Sequence, residues 1–301
     1  MKKITKGIWG GICAVVLGTI LILSICSCQN VKSEPSVPEW CKENTVFAHA
    51  LGTIDGRSET NSLEALEESY ERGFKVFETD ICLSSDDYLV LRHDFAADSY
   101  YTFEQAMDDT PVMSKDEFLS TPINGIYTPI LFDDIVDFMS KHDDVYIITD
   151  TKSTDEKTVL KQFVKLKEVV DRKKDPELYE RIIVQIYNYD MKKTIDKVFK
   201  FDNYIFTLYQ LGDADYNKVA KYCRENGIAV VTVPMEKISK EKSALLHKNG
   251  ITVCTHTVNR IKSIESLNLY HGIEGFYTDY VSPEDLQKYG FKRKEYEKDG
   301  I

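Results

Sequence analysis

The sequence predicts an α/β fold, a single (β/α)8 barrel of the TIM type. Eight short runs rich in Val, Ile, Phe, Tyr and Thr alternate with stretches that have the spacing of amphipathic helices. Strands that alternate with helices form a parallel sheet, and eight such units are the number that closes a barrel. An open, doubly wound sheet is the alternative, but no glycine-rich phosphate-binding sequence follows any of the runs.

The eight predicted strands, in chain order, are Thr45–Ala50, Phe74–Cys82, Val145–Thr151, Ile182–Tyr187, Tyr204–Leu208, Ala229–Val233, Thr252–Thr257 and Gly275–Asp279. The predicted helices between them are Ser62–Arg72, Asp133–Lys141, Glu156–Val170, Asp190–Phe199, Asp215–Glu225, Lys240–Lys248 and Lys262–Leu269. Gly73, Gly227 and Gly250 stand where a helix ends before a strand, as a glycine C-cap would. One stretch, Phe95 to Phe132, lacks a clear strand–helix unit, and we interpret it as an insertion after the second strand, over the mouth of the barrel.

The N-terminus has the pattern of an export signal. Three lysines within the first six residues precede residues 8–25, which contain no charged side chain. Ser27 and Cys28 follow, and a small residue before a cysteine resembles the cleavage site of a bacterial lipoprotein, with Cys28 as the lipidated residue. An uncleaved membrane anchor is the alternative, since 18 apolar residues are just enough to span a bilayer. Both interpretations place the body outside the cytoplasm, attached to the bacterial cell membrane.

The predicted organisation has three parts: a signal peptide or anchor over residues 1–27, a polar tether over 28–43 and the barrel over 44–301. The net charge of −11 makes nucleic acid an unsuitable partner, since the first 27 residues carry only basic charges and the remainder is more acidic still. Cysteines 41, 82, 223 and 254 form no zinc-binding pattern, and we expect mostly free, buried thiols.

Acidic side chains cluster where predicted strands end, which is where a TIM barrel carries its active site. Glu78 and Asp80 are two apart on one strand and point to the same side, and Asp150 ends the next predicted barrel strand. Buried like charges are costly unless a cation neutralises them, and a hard cation with oxygen ligands would do so. The alternative is that these acids are solvated or pair with Lys152.

Two histidines, His49 and His93, lie at strand ends beside the predicted acidic cluster. Imidazoles suit general acid and general base catalysis near neutral pH. Metal ligation or a structural role in the core are the alternatives. Three further histidines, His142, His247 and His271, fall in helices or loops and are predicted to lie on the surface.

These residues resemble a known family. His49, Thr60-Asn61-Ser62, Glu78-x-Asp80, His93-Asp94, Asp150-x-Lys152 and Thr257-Val258-Asn259 occur in the order and approximate spacing of the glycerophosphodiester phosphodiesterases, over about residues 45–286. That family is a TIM barrel related to the phosphatidylinositol-specific phospholipases C. The resemblance implies metal-dependent hydrolysis of a glycerophosphodiester to an alcohol and glycerol phosphate, in lipid metabolism.

The resemblance also implies a role for each matching residue. Glu78, Asp80 and Asp150 would bind Ca²⁺ or Mg²⁺, and His49 and His93 would be the acid–base pair. Lys152 would contact phosphate. Asn61, Gln185 and His256 are further candidates for contacts with the small-molecule substrate.

Four departures from the family pattern indicate a divergent subfamily with the sequence His-Ala-Leu-Gly at its first strand. Ala50 replaces an arginine, Thr60 a glutamate, Asp150 a glutamate and His256 a tryptophan. Loss of the arginine removes a bidentate phosphate contact, for which Arg57 in the following loop is a candidate replacement. Two alternative functions stay open: a non-catalytic surface lipoprotein that binds a glycerophosphodiester or a teichoic-acid-like polymer, and a phosphodiesterase that cleaves phospholipid.

Overall fold

A closed ring of eight parallel strands forms the centre of the protein. The structure is a computed structural model that describes residues 36–107 and 111–296. Neighbouring strands in the ring pair in parallel, and β1 (Val46–Ala48) pairs with both β2 (Val76–Leu83) and β9 (Gly275–Thr278), which closes the barrel as predicted. The barrel strands are β1 Val46–Ala48, β2 Val76–Leu83, β4 Tyr146–Asp150, β5 Ile182–Ile186, β6 Asn203–Thr207, β7 Val230–Pro234, β8 Thr252–His256 and β9 Gly275–Thr278; β3, Leu89–Leu91, lies outside the ring and pairs antiparallel with the end of β2.

Helices surround the ring, and several of them begin or end at residues that the sequence marks as caps. The side chain of Ser62 accepts the N–H of Ala65 at the start of the helix after β1, and Gly227 adopts the left-handed conformation that ends the helix before β7. The helices are α1 Glu39–Glu43, α2 Leu63–Glu71, α3 Ala97–Thr102, α4 Lys115–Ser120, α5 Phe132–Lys141, α6 Glu156–Lys173, α7 Glu177–Glu180, α8 Met191–Ile195, α9 Tyr216–Asn226, α10 Lys240–Lys248, α11 Ile261–His271 and α12 Pro283–Tyr289.

The barrel interior is filled by one cluster of side chains to which every barrel strand contributes. The members are Phe47, Val76, Ile148, Ile183, Ile205, Val230, Cys254 and Tyr277, with Trp40 and Cys41 of α1 added. Side chains two residues apart along a strand face the same side, so positions 49, 78, 80, 150, 185, 256 and 279 lie on the interior side. The fold therefore directs the predicted site residues of these strands to one end of the barrel axis.

Helix α1 packs against the barrel near the N-terminal ends of the strands. The Trp40 ring contacts Phe47 at a centroid distance of 5.7 Å, and its indole N–H donates to Asn203 Oδ1, at the first residue of β6, over 3.1 Å. The residues from Glu39 onward are thus part of the folded body, which shortens the tether predicted over 28–43. The predicted signal and Cys28 lie outside the described residues.

The insertion contains two short helices, α3 and α4, that the sequence pattern did not indicate. Tyr100, Met113 and Phe118 from this segment pack on Val90 of β3 in a small separate cluster, so these three side chains form local packing. No helix among the described residues is long and apolar enough to cross a membrane.

Candidate active site

Three carboxylates converge where β2 and β4 end. Asp80 and Asp150 are direct partners in the register of the two strands, and Glu78 is two residues before Asp80. One oxygen from each of the three lies within 4.8 Å of the others, and all three residues are buried. Burial, followed by the negative charge of Asp80, raises the pKa of Glu78 to about 8. The charged form of Glu78 is therefore disfavoured in this arrangement, and an added positive charge would favour it.

Each carboxylate has one oxygen fixed by a neutral hydrogen-bond donor. Glu78 Oε2 accepts the backbone N–H of Ala50 over 2.8 Å, and Asp80 Oδ2 accepts the amide of Asn61 over 2.9 Å. Asp150 Oδ1 accepts the hydroxyl of Tyr187. Since the donors are buried as well, the three acids are held in one arrangement.

The donor to Glu78 depends on a tight turn after β1. Residues His49–Leu51 form a single 3₁₀ turn in which Ala50 and Leu51 have φ of 46° and 67°. Gly52 follows with φ of 95°, and a Cβ there would lie 2.0 Å from Ser69 Oγ. The turn directs the Ala50 N–H at Glu78, a contact that does not depend on the side chain at position 50.

Asn61 is held against Asp80 and is fully buried. Besides its amide contact, its Oδ1 accepts the backbone N–H of Asp80 over 3.1 Å and the Thr79 hydroxyl over 3.0 Å. The side chain that we predicted as a substrate contact thus uses both ends of its amide to position Asp80.

Lys152 supplies positive charge to the cluster. Its Nζ lies 2.7 Å from Asp80 Oδ1 and 3.1 Å from Asp150 Oδ2. Burial lowers the pKa of Lys152, but the charges of Asp80 and Asp150 outweigh burial and raise it. For Asp80, burial raises the pKa, and the positive charges of Lys152 and of the two candidate histidines outweigh burial and lower it.

His49, directly after β1, is oriented by a carboxylate that directly follows β9, the strand that pairs with β1 to close the barrel. Its Nδ1 lies 2.8 Å from Asp279 Oδ1, and because a carboxylate can only accept, Nδ1 carries the proton. Asn259 donates to Asp279 Oδ2 over 2.6 Å and accepts the Asp279 N–H over 2.8 Å. Burial lowers the pKa of His49, but the bond to Asp279 and the charge of Glu78 outweigh burial and raise it to about 10.

His93 has a carboxylate partner of its own. Its Nδ1 lies 2.7 Å from Asp94 Oδ2, and the second oxygen of Asp94 accepts the N–H of Ala96 and the hydroxyl of Ser99. Buried Arg92 donates to the Asp94 carbonyl and also to Gln105 Oε1 of the insertion, which ties this loop to the insertion. The two histidines therefore have the same arrangement: Nδ1 is bound to a carboxylate, and Nε2 is the nitrogen that would exchange a proton with a substrate.

The remaining candidate residues lie in different surroundings, and the hydrogen bond, ring contacts and ion pair that they form involve residues other than the three carboxylates. Gln185 is buried inside the barrel, where its Oε1 accepts the Tyr277 hydroxyl over 3.2 Å. His256 packs edge-on against the rings of Tyr209 and Tyr277, and burial lowers its pKa to about 4. Arg57, the candidate replacement for the missing arginine, forms an exposed pair with Glu104 of the insertion at 3.4 Å.

The residues present fit a hard divalent cation. Three buried carboxylate oxygens are the ligands that Ca²⁺ and Mg²⁺ prefer, and a bound cation would offset the burial and the charge of Asp80 that raise the pKa of Glu78. Sequence reasoning assigned no role to three residues of this site: Asp279 with its partner Asn259, and Tyr187. Asp279 directly follows β9, and β9 pairs with β1 when the barrel closes. An acid at the end of the last predicted strand is therefore the signal that could have identified it as a partner of His49.

A TIM barrel with two carboxylate-paired histidines beside a buried acidic cluster at its C-terminal end has the parts of an acid–base hydrolase. The chain matches the model of the glycerophosphoryl diester phosphodiesterase family over residues 52–282. That match spans more than half of the chain, so this protein belongs to the glycerophosphoryl diester phosphodiesterase family, as the resemblance predicted. Its class is therefore that of the phosphoric diester hydrolases.

Solved structures of the same family share the fold. A glycerophosphodiester phosphodiesterase from Parabacteroides distasonis is 20% identical with a TM-score of 0.63, the match covering 82% of this chain and 96% of that one. One from Galdieria sulphuraria is 13% identical with a TM-score of 0.65, covering 85% and 99%. A phosphodiesterase from Oleispira antarctica in complex with the product sn-glycerol-3-phosphate is 16% identical with a TM-score of 0.62, covering 81% and 95%. No curated protein sequence matches the chain.

Proposed function

We propose that this protein hydrolyses a glycerophosphodiester to an alcohol and glycerol phosphate, with a divalent cation bound by Glu78, Asp80 and Asp150. The observation that carries the proposal is the position of the buried carboxylate cluster beside two histidines, each oriented by its own acid. The product in the O. antarctica relative supports the glycerol phosphate half of the substrate.

The proposed roles follow from what each side chain can donate or accept. A cation on the three carboxylates would polarise the phosphoryl oxygens and offset their growing negative charge. Lys152, whose ammonium lies at the edge of the cluster, would bind a phosphate oxygen. One of His49 and His93 would take the proton of the attacking oxygen, and the other would protonate the leaving alcohol; each such step contributes about 10²–10⁴-fold.

The attacking oxygen belongs either to water or to a neighbouring hydroxyl of the substrate, which would give a cyclic phosphate first. The acidic body favours a diester, with one negative charge, over a monoester with two. We place the reaction in lipid metabolism, because glycerophosphodiesters are what remains of phospholipids after removal of their acyl chains.

The test is release of alcohol from a panel of glycerophosphodiesters by the purified chain with Ca²⁺, with Mg²⁺ and with chelator. We expect metal-dependent cleavage of at least one member, and loss of cleavage in His93→Ala. Phosphorus NMR of the products separates a cyclic phosphate from glycerol phosphate. A folded, metal-loaded protein that cleaves no member would contradict the proposal and favour a binding lipoprotein.

Cleavage of intact phospholipid is a second candidate function. The observation that favours it is the exposure of apolar side chains on the insertion: Tyr101 is 88% and Ile126 67% exposed. Phospholipid micelles in the same panel test it, because cleavage of micelles without cleavage of soluble diesters would replace the first proposal.

We also propose that the body is held outside the cytoplasm on the bacterial cell membrane, through a lipid on Cys28 or through an uncleaved anchor. The basic N-terminus, the apolar residues 8–25 and the Ser27-Cys28 pair support this proposal. The mass of the N-terminal peptide from membranes tests it: a diacylglyceryl-Cys28 peptide supports lipidation, and an intact Met1 peptide supports the anchor. Recovery of an unlipidated chain in the cytosol would contradict both.

A further inference from the structure

Tyr187 is fully buried directly after β5 and makes two polar contacts with the segment that carries Asp150. Its hydroxyl contacts Asp150 Oδ1, and the backbone N–H of Lys152 points at the same hydroxyl oxygen over 3.0 Å. The backbone N–H can only donate, so the phenol accepts from Lys152 and gives its single proton to the carboxylate. Tyr187 thus holds one particular oxygen of Asp150.

The contacts of Lys152 identify the oxygens that face a positive charge. Its ammonium contacts Asp150 Oδ2 and Asp80 Oδ1, which are the oxygens that Tyr187 and Asn61 leave free. On Glu78 the Ala50 N–H holds Oε2 in the same way and leaves Oε1. Each acid therefore has one oxygen bound to a neutral donor of the protein. The other oxygen of Asp80 and of Asp150 contacts the Lys152 ammonium, which marks it as the oxygen that faces positive charge and would ligate a cation.

One-oxygen ligation separates the two cations that the acidic cluster could hold. Ca²⁺ takes six to eight oxygens in flexible geometry and often binds both oxygens of a carboxylate. Mg²⁺ requires six ligands in near-ideal octahedral geometry, keeps several waters and uses few carboxylates. A site of three single oxygens supplies half of an octahedron and leaves the other half to water and phosphate.

We propose that Tyr187 is a positioning residue that limits Asp150 to one-oxygen ligation and thereby makes the carboxylate site prefer Mg²⁺ to Ca²⁺. The inference rests on the proposed function and deepens it by naming the cation. It also accounts for the aspartate at position 150, because the shorter side chain ends within reach of the phenol on the next strand.

The test compares metal affinities by titration calorimetry on the chelator-stripped full chain, with MgCl₂ and CaCl₂ in separate titrations. We expect wild type to bind Mg²⁺ more tightly than Ca²⁺. Tyr187→Phe removes the hydroxyl and frees Asp150 Oδ1, and loss of such a supporting contact lowers metal affinity by about 10–100-fold. We expect that loss for Mg²⁺ and a smaller one for Ca²⁺, so the preference moves toward Ca²⁺ by about tenfold.

Tyr209→Phe is the matched control. The Tyr209 ring packs on Tyr187 at 5.7 Å, but its hydroxyl is bound by Gln210 over 3.0 Å, so we expect an unchanged preference. Asp150→Glu is the second variant if Tyr187→Phe does not fold. The added methylene moves the carboxylate away from the phenol, and the preference should again move toward Ca²⁺.

The outcomes separate the two proposals. A wild type that prefers Ca²⁺, or a Tyr187→Phe protein that loses affinity for both cations by the same factor, overturns the role of Tyr187 and leaves the phosphodiesterase proposal intact. A folded wild type that binds neither cation overturns both.

Discussion

Replacement of Lys152 by methionine tests whether the carboxylate cluster needs a counter-charge. The substitution removes the ammonium that contacts Asp80 and Asp150 and keeps a flexible chain of similar length. We expect the variant to be less stable than wild type in chelator, because Asp80 is buried and loses its ionic partner. A divalent cation should then restore more stability to the variant than to wild type, since it supplies the missing charge.

The magnitude follows from the two contacts and their exposure. Removal of one partner from a buried ion pair costs about 3–5 kcal/mol. The Lys152 side chain is 29% exposed, so solvent screening lowers the cost below that range, to about 2–3 kcal/mol. For a domain of this size each kcal/mol lowers Tm by about 2–4 °C, which predicts a decrease of about 4–12 °C.

The loss of stability in Lys152→Met should grow as pH rises, because Glu78 then becomes charged. Its pKa is raised from 4.5 to about 8 in the folded protein, so the proton that it binds stabilises the fold at low pH. That stability is lost as pH rises through about 8, where Glu78 becomes charged beside Asp80. The deficit of Lys152→Met in chelator should therefore be larger at pH 9 than at pH 6.

Differential scanning calorimetry with EDTA and then with excess Mg²⁺ measures both effects. The matched control is Lys161→Met, which removes a 2.8 Å pair with Asp87 in which both side chains are more than 40% exposed. Such a surface pair is worth about 0–1 kcal/mol, so the control should stay within a few degrees of wild type. A Lys152→Met protein as stable as wild type at pH 9 in EDTA would refute the reasoning.

Three further substitutions test the histidines and the barrel core. His93→Ala should lower kcat by about 10²–10⁴-fold with little change in KM, and near-wild-type turnover would contradict its proposed role. Asp279→Asn should lower kcat by a similar factor, because the amide no longer selects the His49 tautomer with Nδ1 protonated; steady-state kinetics that match wild type would exclude this role. Gly275→Ala should lower Tm by about 2–12 °C in calorimetry, because its Cβ would lie 2.6 Å from Cys254 Sγ and overpacking costs about 1–3 kcal/mol. An unchanged Tm would show that the core adjusts.

Most strands could be predicted from the sequence because each is a short apolar run with clear ends. The predicted strand Ile182–Tyr187 differs from β5 by one residue. The first prediction, Thr45–Ala50, was too long, since the chain leaves β1 after Ala48. The cause is the left-handed conformation of Ala50 and Leu51, for which non-glycine residues give no local signal.

Helix lengths and the burial of side chains were predicted less well where contacts between distant parts of the chain determine them. The helix predicted over Asp190–Phe199 is α8, Met191–Ile195, and α1 was assigned to the tether because five residues give too little periodicity. His247 was predicted on the surface but is 5% exposed, and its Nε2 lies 2.7 Å from the Gly272 carbonyl. That carbonyl belongs to the next helix end, a contact that spacing within α10 cannot reveal.

The acidic ligands of the candidate site were visible because acids at strand ends stand out locally. Their supporting partners were not visible, since the barrel brings them from distant parts of the chain. Asp279 is 230 residues from His49, and only closure of the ring between β1 and β9 brings the two together. Such partners are found when the ends of strands that are neighbours in the predicted barrel are compared, including the first strand with the last.

The two departures at Ala50 and Asp150 have a common explanation in these supporting contacts. The residue at position 50 holds Glu78 through its backbone N–H, so loss of the arginine side chain leaves the carboxylate in place. Asp150 is shorter than the usual glutamate, and the Tyr187 hydroxyl fixes the oxygen of Asp150 that lies on its side. Both departures thus change side chains while they keep each acid held by one donor, which is why a divergent sequence retains a complete carboxylate cluster.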